Sequence, residues 1–201
     1  MGVVGDGFSS THVGSDKDAQ RQRLIVRIAN GDKAAFAALY ETFAPRLYGY
    51  LRLQVTSDGD IEDVMQDTFV TVWKSASRYT GTSSVDTWIF GIARHKLMDW
   101  MRAKYRQPPV LLSEPAFMNE FLLTVEEDFA DSVATTLSIE KALESLPPPY
   151  AEMFYLVYKE SMSYKDIGAL MGISEGTVKS RMYHAKLRLR QQLREEGTGV
   201  E

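Results

Sequence analysis

Cysteine is absent from the 201 residues. That excludes disulfides, thiol sensing and thiolate zinc sites within the chain. Histidine is scarce, with His12, His95 and His184 scattered along the sequence, so no metal site is expected. No apolar run approaches the ~20 residues that a membrane-spanning helix needs. The N-terminus has no basic region followed by an apolar core, so no secretory signal is expected. Asp6 stands where a myristoylation signal needs Ser or Thr. P-loop, zinc-ligand and nucleophile motifs are missing, so neither enzymatic activity nor a cofactor is expected. These absences point to a cytoplasmic protein without membrane insertion, and its 44% hydrophobic content is enough to bury cores.

Basic excess is also missing, because the net charge is −4. The charge is distributed in blocks, however. From Lys74 to Arg106 there are seven Lys/Arg against two Asp/Glu; from Gln107 to Ala134 there are six acids and no Lys or Arg. From Ser161 to Glu195 there are seven bases against three acids. Two basic blocks flank an acidic one, and the local balance matters more than the total.

The most informative stretch is Ser163 to Leu193. Ser163 can cap a helix, with Asp166 reaching back to the backbone, and Ile167, Leu170 and Met171 form its apolar face. Gly172 ends that helix, and Ser174 can cap the next. Val178, Met182, Ala185 and Leu189 fall on one packing face at helical spacing. Gly176, Ser180, Tyr183 and His184 lie opposite, with Lys179 and Lys186 on one flank and Arg181 and Arg188 on the other. Cations beside polar readers suit a major groove, whose walls are phosphate and whose floor is base edges. This predicts a helix-turn-helix; a solvated amphipathic helix is the plainer reading of the same charges.

The remainder also reads as helix. Residues 1–19 are polar and are expected to be disordered. Leu24, Ile25 and Ile28 predict a short helix ending near Gly31, and Asp32 can cap the next. Phe36, Leu39, Tyr40, Phe43 and Leu47 form an apolar stripe that Pro45 is expected to bend or interrupt. A helix over 58–76, capped by Asp58 or Asp60, buries Ile61, Val64, Met65, Thr68, Phe69 and Val72. Its early acids Glu62, Asp63, Gln66 (an amide among them) and Asp67 suit either a solvated face near the positive helix end or a docking surface. Metal binding by acids in 58–67 is a third possibility.

Residues 77–83 read as a loop. Ser83 can then open a helix through Tyr105 whose buried side includes Val85, Trp88, Ile89, Ala93, Leu97 and Met101. Bases with interleaved Tyr79, Trp88 and Trp100 suit single-stranded nucleic acid; core packing is the alternative for the two tryptophans. Helix resumes over 135–160, broken at Pro147-Pro148-Pro149. The fold class is therefore all-α: two small helical domains joined by an acidic flexible linker, the second containing a helix-turn-helix. The boundaries are 1–19 extension, 20–106 first domain, 107–134 linker and 135–195 second domain. A helix-turn-helix repressor or activator with residues 20–106 as a sensor domain fits the same layout.

Three stretches resemble bacterial sigma factors of the extracytoplasmic-function class, in the sigma-70 family. Asp63-Val64-Met65-Gln66-Asp67-Thr68-Phe69 is similar to that family's polymerase-docking helix. Thr87-Trp88-Ile89-Phe90-Gly91-Ile92-Ala93-Arg94 is similar to the segment opening its −10 helix, and Leu146 through Arg190 to its second domain. Gly168 departs from the alanine usual there.

The resemblance implies a promoter-specificity subunit of RNA polymerase. Asp63, Gln66 and Asp67 would dock on the clamp helices of the largest subunit, and the second domain on the flap. Arg78, Tyr79, Thr80, Gly81, Thr82, Ser83 and Ser84 would form the loop that captures a flipped −10 base, with Trp88, Arg94, His95 and Lys96 near the melted strand. Gly176, Thr177, Lys179, Ser180, Arg181, Tyr183, His184, Lys186 and Arg188 would serve the −35 duplex. The resemblance further implies an acidic tether threading through polymerase and control by an anti-sigma factor.

Overall fold

The computed structural model describes residues 11–105 and 146–197, with side chains from residue 16 to residue 189. Among them are seven α-helices, one 3-10 turn and no strand. The helices are α1 (Thr11–Ala29), α2 (Lys33–Arg52), α3 (Asp58–Ser75), α4 (Val85–Lys104), α5 (Pro148–Tyr158), α6 (Tyr164–Met171) and α7 (Glu175–Gly197), and the 3-10 turn is Ala76–Arg78. The acidic segment 107–134 and the helix expected over 135–145 lie outside the described residues.

The first four helices close around one apolar stripe from each. Leu39, Phe43 and Leu47 recur every four residues along α2 and are fully buried. Opposite them lie Ile61, Val64, Phe69 and Val72 of α3 and Val85, Ile89, Ala93 and Leu97 of α4. Thr68 is buried with this set because its hydroxyl donates to the Val64 carbonyl at 2.7 Å, which leaves no polar group unsatisfied. Asp32 caps α2 as expected, accepting from the Ala34 and Ala35 amides at 2.9 and 3.0 Å.

Local details depart from the sequence reading in six places. Residues 11–19 are helical rather than disordered. Polar composition conceals this helix, and tertiary contacts anchor its inner end. Asp18 accepts from the Val85 amide at 3.0 Å, and Arg21 pairs with Asp86. Pro45 neither ends nor interrupts α2, which runs unbroken to Arg52. The residue is exposed, so water can serve the Glu41 carbonyl that its ring leaves without an amide. The cap of α3 is Ser57 rather than Asp58 or Asp60, and that of α4 is Ser84 rather than Ser83. Asp58 instead accepts from Tyr48 and Arg52, both at 2.8 Å, while Asp60 pairs with Lys104. The prolines at 147–149 begin a helix: Pro148 occupies its first turn, and the Pro147 carbonyl accepts from Tyr150 and Ala151. Finally, Asp166 accepts from the Ser163 hydroxyl at 2.5 Å instead of reaching the Ser163 amide.

The last three helices form the expected helix-turn-helix. Ser163 caps α6, Gly172 ends it at φ 71°, and Ser174 caps α7 by accepting from the Thr177 amide at 3.0 Å. Val178, Met182, Ala185 and Leu189 of α7 are buried. The turn is tight: a Cβ on Gly168 would lie 2.8 Å from the Ile173 carbonyl oxygen. The departure from alanine at 168 thus coincides with a close approach of the two helices.

No side chain crowds Gly172, so its positive φ alone decides the effect of a Cβ there. Gly172→Ala is expected to lower stability by about 1 kcal/mol, the cost of left-handed backbone for an L side chain. Urea unfolding of the full chain followed by circular dichroism checks this; an unchanged midpoint would contradict the left-handed turn.

Candidate nucleic-acid interface

The reader face of α7 starts at its capped N-terminus. Gly176, Lys179, Ser180 and Arg188 are exposed, while Thr177, Arg181, Tyr183, His184 and Lys186 are half-buried. The Thr177 hydroxyl lies 2.8 Å from that of Ser174, so it is engaged in the cap. The Tyr183 and His184 rings meet edge-on at 5.6 Å, and the Lys186 ammonium sits 5.8 Å above the Tyr158 ring. Short polar side chains in the centre and cations on the flanks lie on one helix, as the spacing implied.

The second basic region is built around the loop between the 3-10 turn and α4. Gly81 adopts φ 73°, and the Tyr79 hydroxyl donates to the Ser83 carbonyl at 2.6 Å, closing the loop on itself. Tyr79 and Trp88 pack with centroids 5.0 Å apart. Arg78, Thr80, Gly81 and Thr82 are exposed at the rim, while Ser83 and Ser84 are half-buried beneath. Both Trp88 and Trp100 pack against the core while keeping partial exposure, so packing and an outward ring surface coexist. His95 is 73% exposed and lies 3.0 Å from Asp99, with half-buried Lys96 beside it.

Arg94 is placed differently from its neighbours. Its guanidinium is turned inward onto Glu152 of α5 at 2.9 Å, and Glu152 also accepts from the Tyr50 hydroxyl at 2.5 Å. Burial, followed by the Glu152 charge and hydrogen bond, pushes the Tyr50 hydroxyl well above its usual pKa, which keeps it a neutral donor. Nearby, Arg46 of α2 bridges Asp86 and Glu160, reaching Glu160 at 2.8 Å through Nε. Burial works against the Arg46 charge, but the two carboxylates outweigh it and raise its pKa. Sequence reasoning missed this cluster. Its signal was Glu152, a lone acid inside the otherwise uncharged run of α5.

On the far side of the first bundle, Asp63, Gln66 and Asp67 are all exposed on α3. Beside them opens an apolar cleft of about 380 Å³ lined by Phe36, Tyr40, Met65, Phe69, Val70 and Trp73. Tyr40 and Val70 are 46% and 42% exposed, unusual for large side chains at the edge of a core. The acids of 58–67 do not gather as a metal set, since Asp58 and Asp60 are engaged by Arg52 and Lys104.

A helix-turn-helix joined to a basic helical bundle with an aromatic loop defines a bipartite DNA-binding protein. Comparison with known proteins narrows that class. The sigma-70 region 2 family matches residues 39–107, and the sigma-70 region 4 family matches residues 136–189. The ECF RNA polymerase sigma-E factor of Haemophilus influenzae is 30% identical over 172 residues, covering 82% of this chain and 90% of that protein. The ECF RNA polymerase sigma factor RpoE of Cereibacter sphaeroides is 31% identical over 163 residues, covering 81% and 88%. Among solved structures, the sigma factor RpoE in complex with the anti-sigma factor NepR from Bartonella quintana superposes with a TM-score of 0.58 at 26% identity, covering 79% of this chain and 96% of that one. CnrH in complex with the cytosolic domain of CnrY shares the fold, with a TM-score of 0.61 at 21% identity over 87% and 97%.

The chain belongs to the ECF RNA polymerase sigma factors. These are transcription initiation factors rather than enzymes, and residues 39–107 are region 2 rather than the sensor domain of a repressor. No helix among the described residues is long and apolar enough to cross a membrane.

The loop geometry makes one expectation specific. Tyr79→Phe removes the tie from the ring hydroxyl to the far end of the loop, a bond worth ~1 kcal/mol net. Amide exchange at residues 80–83 is expected to accelerate severalfold while exchange in α4 stays unchanged. Equal protection in both proteins would show that the loop is held by other contacts.

Proposed function

We propose that this chain binds core RNA polymerase and directs promoter-specific initiation as a bipartite reader. The supporting observation is the presence of two separate DNA-suited faces on one chain, each built from short polar or aromatic groups flanked by cations, with an acidic segment between them. Residues 20–106 act as the docking and −10 domain, 107–134 as tether and 135–195 as the −35 domain, with 1–19 as an extension.

In the −35 duplex, Ser180, Tyr183 and His184 contact base edges while Lys179, Arg181, Lys186 and Arg188 engage phosphates; Gly176 and Thr177 sit at the helix entry. At −10, residues 78–84 and Trp88 receive an unstacked base, and Arg94, His95 and Lys96 follow the strand. Asp63, Gln66 and Asp67, with the apolar cleft beside them, dock on the clamp helices of the largest polymerase subunit, and the second domain meets the flap. Relatives solved with anti-sigma partners support control by such a factor, and the protein acts in the cytoplasm.

In vitro transcription with core polymerase on a pool of genomic fragments tests the proposal. Promoter-dependent transcripts are expected, and their complete absence would overturn it. Asp67→Lys is expected to weaken core binding at least about tenfold with folding intact, because it reverses charge at the centre of the docking face. A titration by pull-down measures this, and unchanged affinity removes Asp67 from the interface. His184→Ala is expected to change the preference among −35 sequences by ~1–3 kcal/mol. A uniform loss across all sequences would make His184 a phosphate contact.

A further inference from the structure

Polar side chains of α1 lie against the start of α4. Asp18 Oδ1 accepts from the Val85 amide at 3.0 Å, across 67 positions of sequence. Its other oxygen accepts from Gln22 Nε2 at 2.8 Å. Val85 is the first residue of α4, so its amide has no carbonyl to bond within that helix. Ser84 caps the same end but takes the Thr87 amide, at 3.1 Å. The start of α4 thus has a local cap and a second one supplied by α1.

The other end of the loop meets the same side chains. The 3-10 turn Ala76–Arg78 packs on α1. Burial, followed by the charge of Asp18, raises the pKa of the Tyr79 hydroxyl, while a hydrogen bond from Gln22 works against them. That hydroxyl closes the loop on Ser83, and the Tyr79 ring packs on Trp88. Both ends of residues 79–84 therefore rest on Asp18 and Gln22. We propose that Asp18 is a positioning residue for −10 recognition, with Gln22 as its support. It sets the self-closed loop against α4, so that Tyr79, Trp88 and the exposed rim meet the strand at one angle. The inference rests on the promoter-reading function proposed above.

Discrimination between bases depends on geometry, since a binding site must be held within about 0.5 Å of its productive arrangement by the groups behind it. The tie from Tyr79 to Ser83 fixes the shape of the loop. It does not fix the joint between Ser84 and Val85, where the loop becomes helix. A carboxylate at that joint acts in two ways. Its oxygen takes an amide that would otherwise lack a partner, and its charge lies at the positive end of the α4 dipole. Stability of the bundle has other sources. Its core takes Ile25 and Ile28 from α1, and the Arg21–Asp86 pair ties α1 to α4 without Asp18. Asp18 is half-buried and outside that core, placed to act through the helix whose first amide it holds.

The test uses holoenzyme reconstituted from core polymerase and the full chain, on templates randomised at the −10 element and read by sequencing the transcripts. Asp18→Ala is expected to reduce the preference for the captured −10 base by about tenfold, with core binding and −35 preference unchanged. Asp18→Asn keeps an oxygen for the Val85 amide and is expected to stay within about twofold of the wild type. Amide exchange in the free chain gives a second readout: Val85 is expected to exchange about tenfold faster in Asp18→Ala and near the wild-type rate in Asp18→Asn. Circular dichroism at wild-type helicity establishes folding. If Asp18→Ala does not fold, Gln22→Leu decides, with an expected loss of about threefold in the same preference. Unchanged preference in the deciding variant, or an equal loss on every −10 sequence, overturns the positioning role. So does an Asp18→Asn protein that behaves like Asp18→Ala. Absence of promoter-dependent transcripts from the wild type would overturn the promoter reading instead; faster exchange at Val85 in Asp18→Ala would then still show Asp18 holding the start of α4.

Discussion

Glu152 is 1% exposed, and a guanidinium and a neutral phenol hydroxyl converge on it from two other helices. A carboxylate in that position is tolerable only while Arg94 and Tyr50 stay in place, because an unpaired buried charge costs far more than the pair returns. The constraint propagates. Arg94 needs α4 in register, which its Ser84 cap and the buried row Val85, Ile89, Ala93 and Leu97 supply. Tyr50 needs α2 unbroken through Pro45, and the buried Leu47 and Leu51 on either side of it hold that segment in the core. One contact between the halves is thus an acid whose partners are each fixed by apolar packing elsewhere, beside the Arg46–Glu160 pair and the packing of α6 on α4.

The two DNA-suited faces depend on local chemistry instead. In the helix-turn-helix, Ser163, Gly172 and Ser174 close the helix ends within a dozen residues, and Gly168 lets α6 and α7 approach closely. The loop before α4 is likewise self-contained, tied by Tyr79 to Ser83 and turned at Gly81. Sites of this kind keep their shape when the surrounding domain moves, as a module engaging DNA at a distance from its partner requires.

This difference explains what is legible in the sequence. Caps, turn glycine and periodic apolar faces are near neighbours in the chain, so Asp32, Gly172 and the Val178–Leu189 stripe can be read from residue order alone. The caps that differ lie one to three residues from their expected positions, where several polar side chains compete for the same amides. The helix over 11–19 is hidden because its support comes from Val85 and Asp86, more than sixty residues away. The Glu152 cluster is hidden for the same reason: Tyr50 lies 102 positions earlier and Arg94 58. The exposed acids Asp63 and Asp67 of α3 are visible as a charged patch, but the apolar cleft beside Gln66 is not, since Phe36 and Trp73 meet only in the folded bundle.

A contact between halves built on charge has different properties from one built on apolar area. Apolar interfaces of similar size would leave sticky, aggregation-prone surfaces on separation. Charged and tyrosine-tipped surfaces remain solvated on separation, and polar interdomain contacts are the ordinary setting for relative domain motion.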